Sequence, residues 1–194
     1  MKKLAKLTSD IVNPFSMSLV MIILLCLRSA TTVSSAIKWA LLAVAFSILP
    51  VLAIILYLVH NEKLDSLFIK TRQQRSKIYL LAIFCVAICI GILFYLGAPA
   101  VLLAALISAF FAIIIYMGVN LWWKISVHTG FAAASITMII ILYGAIGLIT
   151  SLLLPIIGWS RVKLEHHSPA QVAVGAALSA LTVVIVFSLF GLVG

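Results

Sequence analysis

Near the end of the chain a polar stretch, residues 158–171, lies between two long apolar runs and carries Ser160, Arg161, Lys163, Glu165, His166, His167, Ser168 and Gln171. Arginine offers a planar fork of donors matched to phosphate oxygens. Imidazole serves as a nucleophile or as a general acid. A second polar junction, Lys124-Ile125-Ser126-Val127-His128, adds a cation, a hydroxyl and another histidine. A third, the hydrophilic loop 60–77, adds Lys70, Arg72 and Arg75. Ser168-Pro169 reads as a helix start, with Ser168 as N-cap and Pro169 in the first turn. Another helix starts near His128, and helix N-termini attract anions. The chemistry such a set supports is anion binding, with one histidine as nucleophile and the other as general acid.

The elements that must position these groups are almost entirely apolar. The chain has 194 residues, 65% of them hydrophobic and only 9% charged, with a mean hydropathy of +1.34. No soluble domain of this size needs so much apolar surface, and the runs reach the roughly 20 residues that cross a bilayer as a helix. A barrel would show short alternating segments instead. The expected fold is all-α, a polytopic transmembrane helical bundle of about six to seven spans, forming a single integral membrane domain over 1–194.

In order, spans are expected at about 15–33, 37–59 (containing Pro50), 78–96 and 100–120, with a tight turn at Gly97-Ala98-Pro99. The run 129–159 is long for one span and short for two, and Gly144 and Gly147 suggest a reversal near its middle. A last span covers about 169–192. Trp39, Trp122, Trp123 and Trp159 read as interfacial belt residues. The start, Met1-Lys2-Lys3-Leu4-Ala5-Lys6, resembles a signal peptide, but Asp10 and Asn13-Pro14 interrupt the approach to the apolar run, so a retained first span is expected.

Seven spans place the N-terminus, the 60–77 loop, the 121–128 junction and the 158–168 loop on one side. Eleven of the 13 basic residues fall there, and only Arg28 and Lys38 fall opposite. All four histidines and all four acids share the crowded side. The positive-inside rule makes that side cytoplasmic. The net charge of +9 therefore points to anionic lipid and membrane orientation, and nucleic acid is not an expected partner. Cys26, Cys85 and Cys89 lie inside apolar runs and read as packing. Cys85 and Cys89 share a helix face, but no neighbouring histidine or acid completes a metal site.

The polar junctions together resemble the type 2 phosphatidic acid phosphatases. That family's third motif is Ser-Arg, five residues, His, three residues, Asp. Here Ser160-Arg161 is followed at the same spacing by His167 and then by Gln171, and the family's following helix with a glycine is matched by residues 172–175. The second motif, Pro-Ser-Gly-His, is matched by Ser126 and His128, with Ile125 and Val127 in the other two places. The first motif, Lys, six residues, Arg-Pro, is matched at Arg75. Ser76 stands for the proline and Phe68 for the lysine, and Lys70 or Arg72 could supply the missing charge. The resemblance covers a phosphatase-like core of about 65–175.

The resemblance implies that His167 attacks phosphorus and becomes a phosphohistidine, and that His128 protonates the leaving group. It implies that Arg72, Arg75, Lys124, Ser126, Ser160 and Arg161 hold the phosphoryl oxygens, with no metal and no cofactor. Lipid phosphates and isoprenyl diphosphates are the implied substrates. Gln171 stands where the family has the carboxylate that orients the nucleophile; its carbonyl can accept the same hydrogen bond but brings no charge, and Glu165 or Asp65 could compensate if the fold brings one close. Two other readings stay open: a non-catalytic relative that binds or moves a lipid phosphate, and an unrelated small transporter. A transporter predicts ionisable residues within its spans, and the sequence has almost none. Ser126 is expected as a helix cap, as a phosphate contact, or as both.

Overall fold

The computed structural model describes residues 1–64 and 72–193, and every regular element among them is helical. In order these are α1 (Lys2–Ile11), α2 (Pro14–Ser29), α3 (Val33–Ala43), a π segment (Val44–Ile48), α4 (Leu49–His60), α5 (Arg72–Tyr95), α6 (Ala100–Asn120), α7 (Val127–Tyr143), a 3-10 segment (Gly144–Leu152), α8 (Leu153–Lys163) and α9 (Pro169–Leu189). Five continuous helical stretches are long and apolar enough to cross a membrane, or six when α1 and α2, bent by 42° at their junction, count as one. The all-α fold expected from hydropathy is therefore the fold observed, and its long apolar helices are compatible with an integral membrane protein.

The chain forms two compact units, 22–123 and 1–21 with 124–194. In the first, α3, the π segment and α4 run on as one stretch of 28 residues. The π turn ends just before Pro50. A proline in a regular helix clashes with the carbonyl four residues back, and a wider turn at that place accommodates it. The carbonyl of Ala43 accepts from Ser47 Oγ at 2.6 Å and lies 3.8 Å from Cys89 Sγ. Trp39 is buried in one apolar cluster with Cys26, Cys89, Leu93 and Leu102, and Lys38 Nζ stacks 4.6 Å from its ring centroid.

The other unit is built on α7 and α9. Asn13 opens α2 by accepting from the backbone N–H of Phe15 and Ser16 at 2.9 and 3.1 Å, which separates α1 from it. At Gly144 the backbone takes φ 62° and ψ −137°, a region open essentially to glycine alone. The chain reverses there. A Cβ on Gly147 would lie 2.8 Å from the carbonyl oxygen of Ile139, eight residues earlier, so the 3-10 segment folds directly back onto α7, and α8 also packs against α7. The run 129–159 is thus a hairpin. Both of its ends, the Ser126 start of α7 and the Arg161 end of α8, come to one end of the unit, where α9 begins.

Candidate phosphoryl site

Three local structures build this end of the unit. The first is the α7 start. Ser126 is fully buried, and its Oγ accepts from the Thr129 N–H at 3.5 Å as N-cap. That bond uses the hydroxyl oxygen and leaves the proton to donate, so capping and anion contact are compatible at this residue. His128, in the first turn of α7, is buried.

The second is the end of α8. The His166 N–H donates to the Arg161 carbonyl at 3.1 Å and the Glu165 N–H to the Val162 carbonyl at 2.9 Å. This bond pair closes a helix with a left-handed residue between, and that residue is Glu165 at φ 59°. Glycine is usual there; a side chain is tolerated at a cost of roughly 1–2 kcal/mol. The cap turns the chain sharply, so that His166 and His167 follow without a linker. Ser160 is fully buried and donates its hydroxyl proton to the Ile157 carbonyl at 2.7 Å. In this rotamer it has no proton to give an anion.

The third is the α9 start, where Ser168 and Gln171 form a reciprocal capping box. The Gln171 N–H donates to Ser168 Oγ at 3.3 Å, and the Ser168 N–H donates to Gln171 Oε1 at 3.2 Å. This second bond decides the chemistry of the neighbour. A backbone N–H must face an acceptor, so the Gln171 carbonyl oxygen, not its amide nitrogen, points this way. His167 Nδ1 lies 3.2 Å from the same oxygen, so Nδ1 carries the proton and donates. In the neutral ring the lone pair then belongs to Nε2, the atom that attacks in nucleophilic catalysis. His166 makes no such contact with Gln171.

The α7 and α9 starts are joined. The Ser126 N–H donates to the Gln171 backbone carbonyl at 3.3 Å, and Thr129 Oγ1 donates to the Val172 backbone carbonyl at 3.1 Å. The fit depends on Gly175, where an added Cβ would lie 2.7 Å from the Ser126 carbonyl oxygen. Small residues that let two backbones approach are how apolar helices pack without a hydrophobic driving force between them.

Arg161 is only 3% exposed, and its guanidinium donates to Ser9 Oγ on α1. Lys2 of the same helix pairs with Glu165 at 3.3 Å. Glu165 is therefore occupied at the surface and does not supply a carboxylate to His167. Ser9 was not singled out in the sequence: it lies 152 residues from Arg161, in a segment read as the basic, signal-peptide-like approach to the first span. A serine recurring with Ala5 at helical spacing was the one trace available.

The remaining expected residues fall as follows. Lys124 is half-buried and engaged with its surroundings. Arg75 lies in the first turn of α5, in the other unit, half-buried. Near it in that unit, Asn120 Nδ2 donates to Ser76 Oγ at 3.2 Å across α5 and α6. Arg72 opens α5, but its side chain, like Asp65, Phe68 and Lys70, lies outside the described residues.

No family model, no curated protein and no solved structure matches the chain.

Proposed function

We propose that the chain is an integral membrane phosphatase that cleaves a lipid phosphate or isoprenyl diphosphate through a phosphohistidine on His167. One observation carries the reading: Gln171 Oε1, fixed by the Ser168 N–H, accepts the hydrogen bond of His167 Nδ1–H while the Gln171 backbone carbonyl anchors the start of the His128 helix. In the proposed reaction the Nε2 lone pair of His167 forms a bond to phosphorus as the bond to the leaving oxygen breaks. His128, protonated, gives its proton to that oxygen. Neutral His128 then takes a proton from water, whose oxygen attacks phosphorus; the N–P bond breaks, phosphate leaves and both rings return to their starting states. Arg161, with Lys124 and Ser126, meets the charge that gathers on the phosphoryl oxygens.

The excess of basic residues on one side supports a cytoplasm-facing site. A single-chain prenyl diphosphate is the favoured substrate because such diphosphates are made on that face. Gln171 also favours a second reading, a protein that binds or moves a lipid phosphate without cleaving it, since an amide cannot neutralise the cation that phosphorylated His167 becomes.

Phosphate release by the purified protein from a panel of lipid phosphates and diphosphates, beside His167→Ala, separates the two. Release by the wild type that is lost in a folded His167→Ala supports the phosphatase. Equal rates in both sink it, and saturable binding without release leaves the second reading in its place.

A further inference from the structure

The sides of α1 differ sharply in character. At about 100° per residue, Leu4, Leu7 and Ile11 fall within about 60° of one another, and all three are exposed, at 57%, 56% and 62%. Ala5 and Ser9, the buried residues of the helix, centre about 150° away on the same wheel. They form the face by which α1 packs on α8, with Ser9 reaching Arg161. The arc between these faces on one side carries Lys2, Lys6, Asp10 and Lys3. On the other side it carries Met1, Thr8 and Val12.

Docking through Ala5 and Ser9 fixes the rotation of the helix, so the leucine row points away from α8. An exposed apolar row on a helix with cations along one flank suits the boundary between headgroups and acyl chains. Each Lys near an anionic surface adds attraction to it, and long cationic stems reach the headgroups while their carbons stay in apolar surroundings. The 42° bend between α1 and α2 turns α1 off the line of the following apolar helix.

We propose that α1 is an interfacial helix that binds an anionic phospholipid surface, with Leu4, Leu7 and Ile11 in the acyl boundary and Lys3 and Lys6 on the lipid phosphates. The proposal does not depend on the phosphatase reading. The occupant is the bilayer itself, met by a face of α1 other than the Ala5–Ser9 face that holds Arg161.

The full chain reconstituted in vesicles tests it. Single cysteines replace Leu4, Leu7 or Ile11 in one set and Lys3, Lys6 or Asp10 in another, each spin-labelled and probed by collision with oxygen and with a water-soluble nickel complex. The native cysteines are buried, and wild-type protein carried through labelling reports their background. In phosphatidylcholine with added phosphatidylglycerol, the first set is expected to favour oxygen and lose nickel accessibility, and the second to show the reverse. In phosphatidylcholine alone the contrast should shrink, as it should in anionic vesicles when Lys3→Gln and Lys6→Gln are combined with Leu7→Cys. Nickel access at both sets would place α1 in water, and nickel exclusion at both would place it inside a span. Either result, or a contrast indifferent to lipid charge, overturns the proposal.

Discussion

Gln171→Glu adds a charge at a position the structure already defines. The two side chains have the same length, so the carboxylate oxygen replaces the amide oxygen 3.2 Å from His167 Nδ1 and still accepts from the Ser168 N–H. Glutamate is the preferred third residue of a capping box and favours the positive end of a helix, so α9 is expected to keep its start. The gain falls on the state in which His167 carries a developing positive charge. Two opposite unit charges about 4 Å apart attract by about 4 kcal/mol at an effective dielectric of about 20. Gln171 is half-buried, and solvent screening removes much of that energy. A remainder of about 1.4–2.7 kcal/mol corresponds to a rate increase of about 10- to 100-fold. Gln171→Ala removes the orienting acceptor and is expected to slow the reaction by up to about tenfold, the worth of one ordinary hydrogen bond. The assay is phosphate release under single-turnover conditions, with acid-labile phosphoenzyme trapped in parallel and His167→Ala as the blank. A Gln171→Glu rate equal to or below the wild type, with helicity and thermal midpoint unchanged, refutes the reasoning.

Gly175→Ala places a Cβ against the Ser126 carbonyl and is expected to cost about 1–3 kcal/mol, the usual penalty of overpacking, seen as a lower thermal midpoint in detergent. Ser9→Ala takes an acceptor from the buried guanidinium of Arg161 and is expected to cost about 1–3 kcal/mol; a raised KM with little change in kcat would mark Ser9 as a positioning residue for the clamp. Glu165→Gly relieves the left-handed cap and is expected to raise the thermal midpoint, by up to about 1–2 kcal/mol of stability. Lys2→Ala removes only an exposed ion pair and should leave stability unchanged within error.

The helices were legible because hydropathy alone sets them. The runs at 33–60, 100–120 and 169–189 are apolar over a span's length, and Ser168-Pro169 marks a start by capping chemistry that acts within one turn. The reversal at Gly144 was legible for a related reason: a glycine in an over-long run is where the backbone is free to turn. The α1 helix was not read as a helix, although Leu4, Leu7 and Ile11 recur at helical spacing, because its lysine-rich start was read as the approach to the first apolar run. Trp39 was read by type alone, and sequence could not show that its ring joins the buried cluster of Cys89 and Leu93. Glu165 looked like a spare carboxylate because residue type does not disclose backbone conformation.

Sequence by itself determined that this chain is helical and apolar enough to sit in a membrane, and that histidines, arginine and serines gather in its polar junctions, since composition and spacing are properties of the covalent chain. Tertiary structure alone decided what each of those groups touches. It set the tautomer of His167 by turning Gln171 Oε1 toward both the Ser168 N–H and the ring, and it tied the α7 and α9 starts together through a glycine too small to keep them apart. It also gave Arg161 a partner from the opposite end of the chain. Hydrogen-bond direction and close approach depend on distances in space, and residues 126 and 171, or 9 and 161, acquire those distances only when the helices pack.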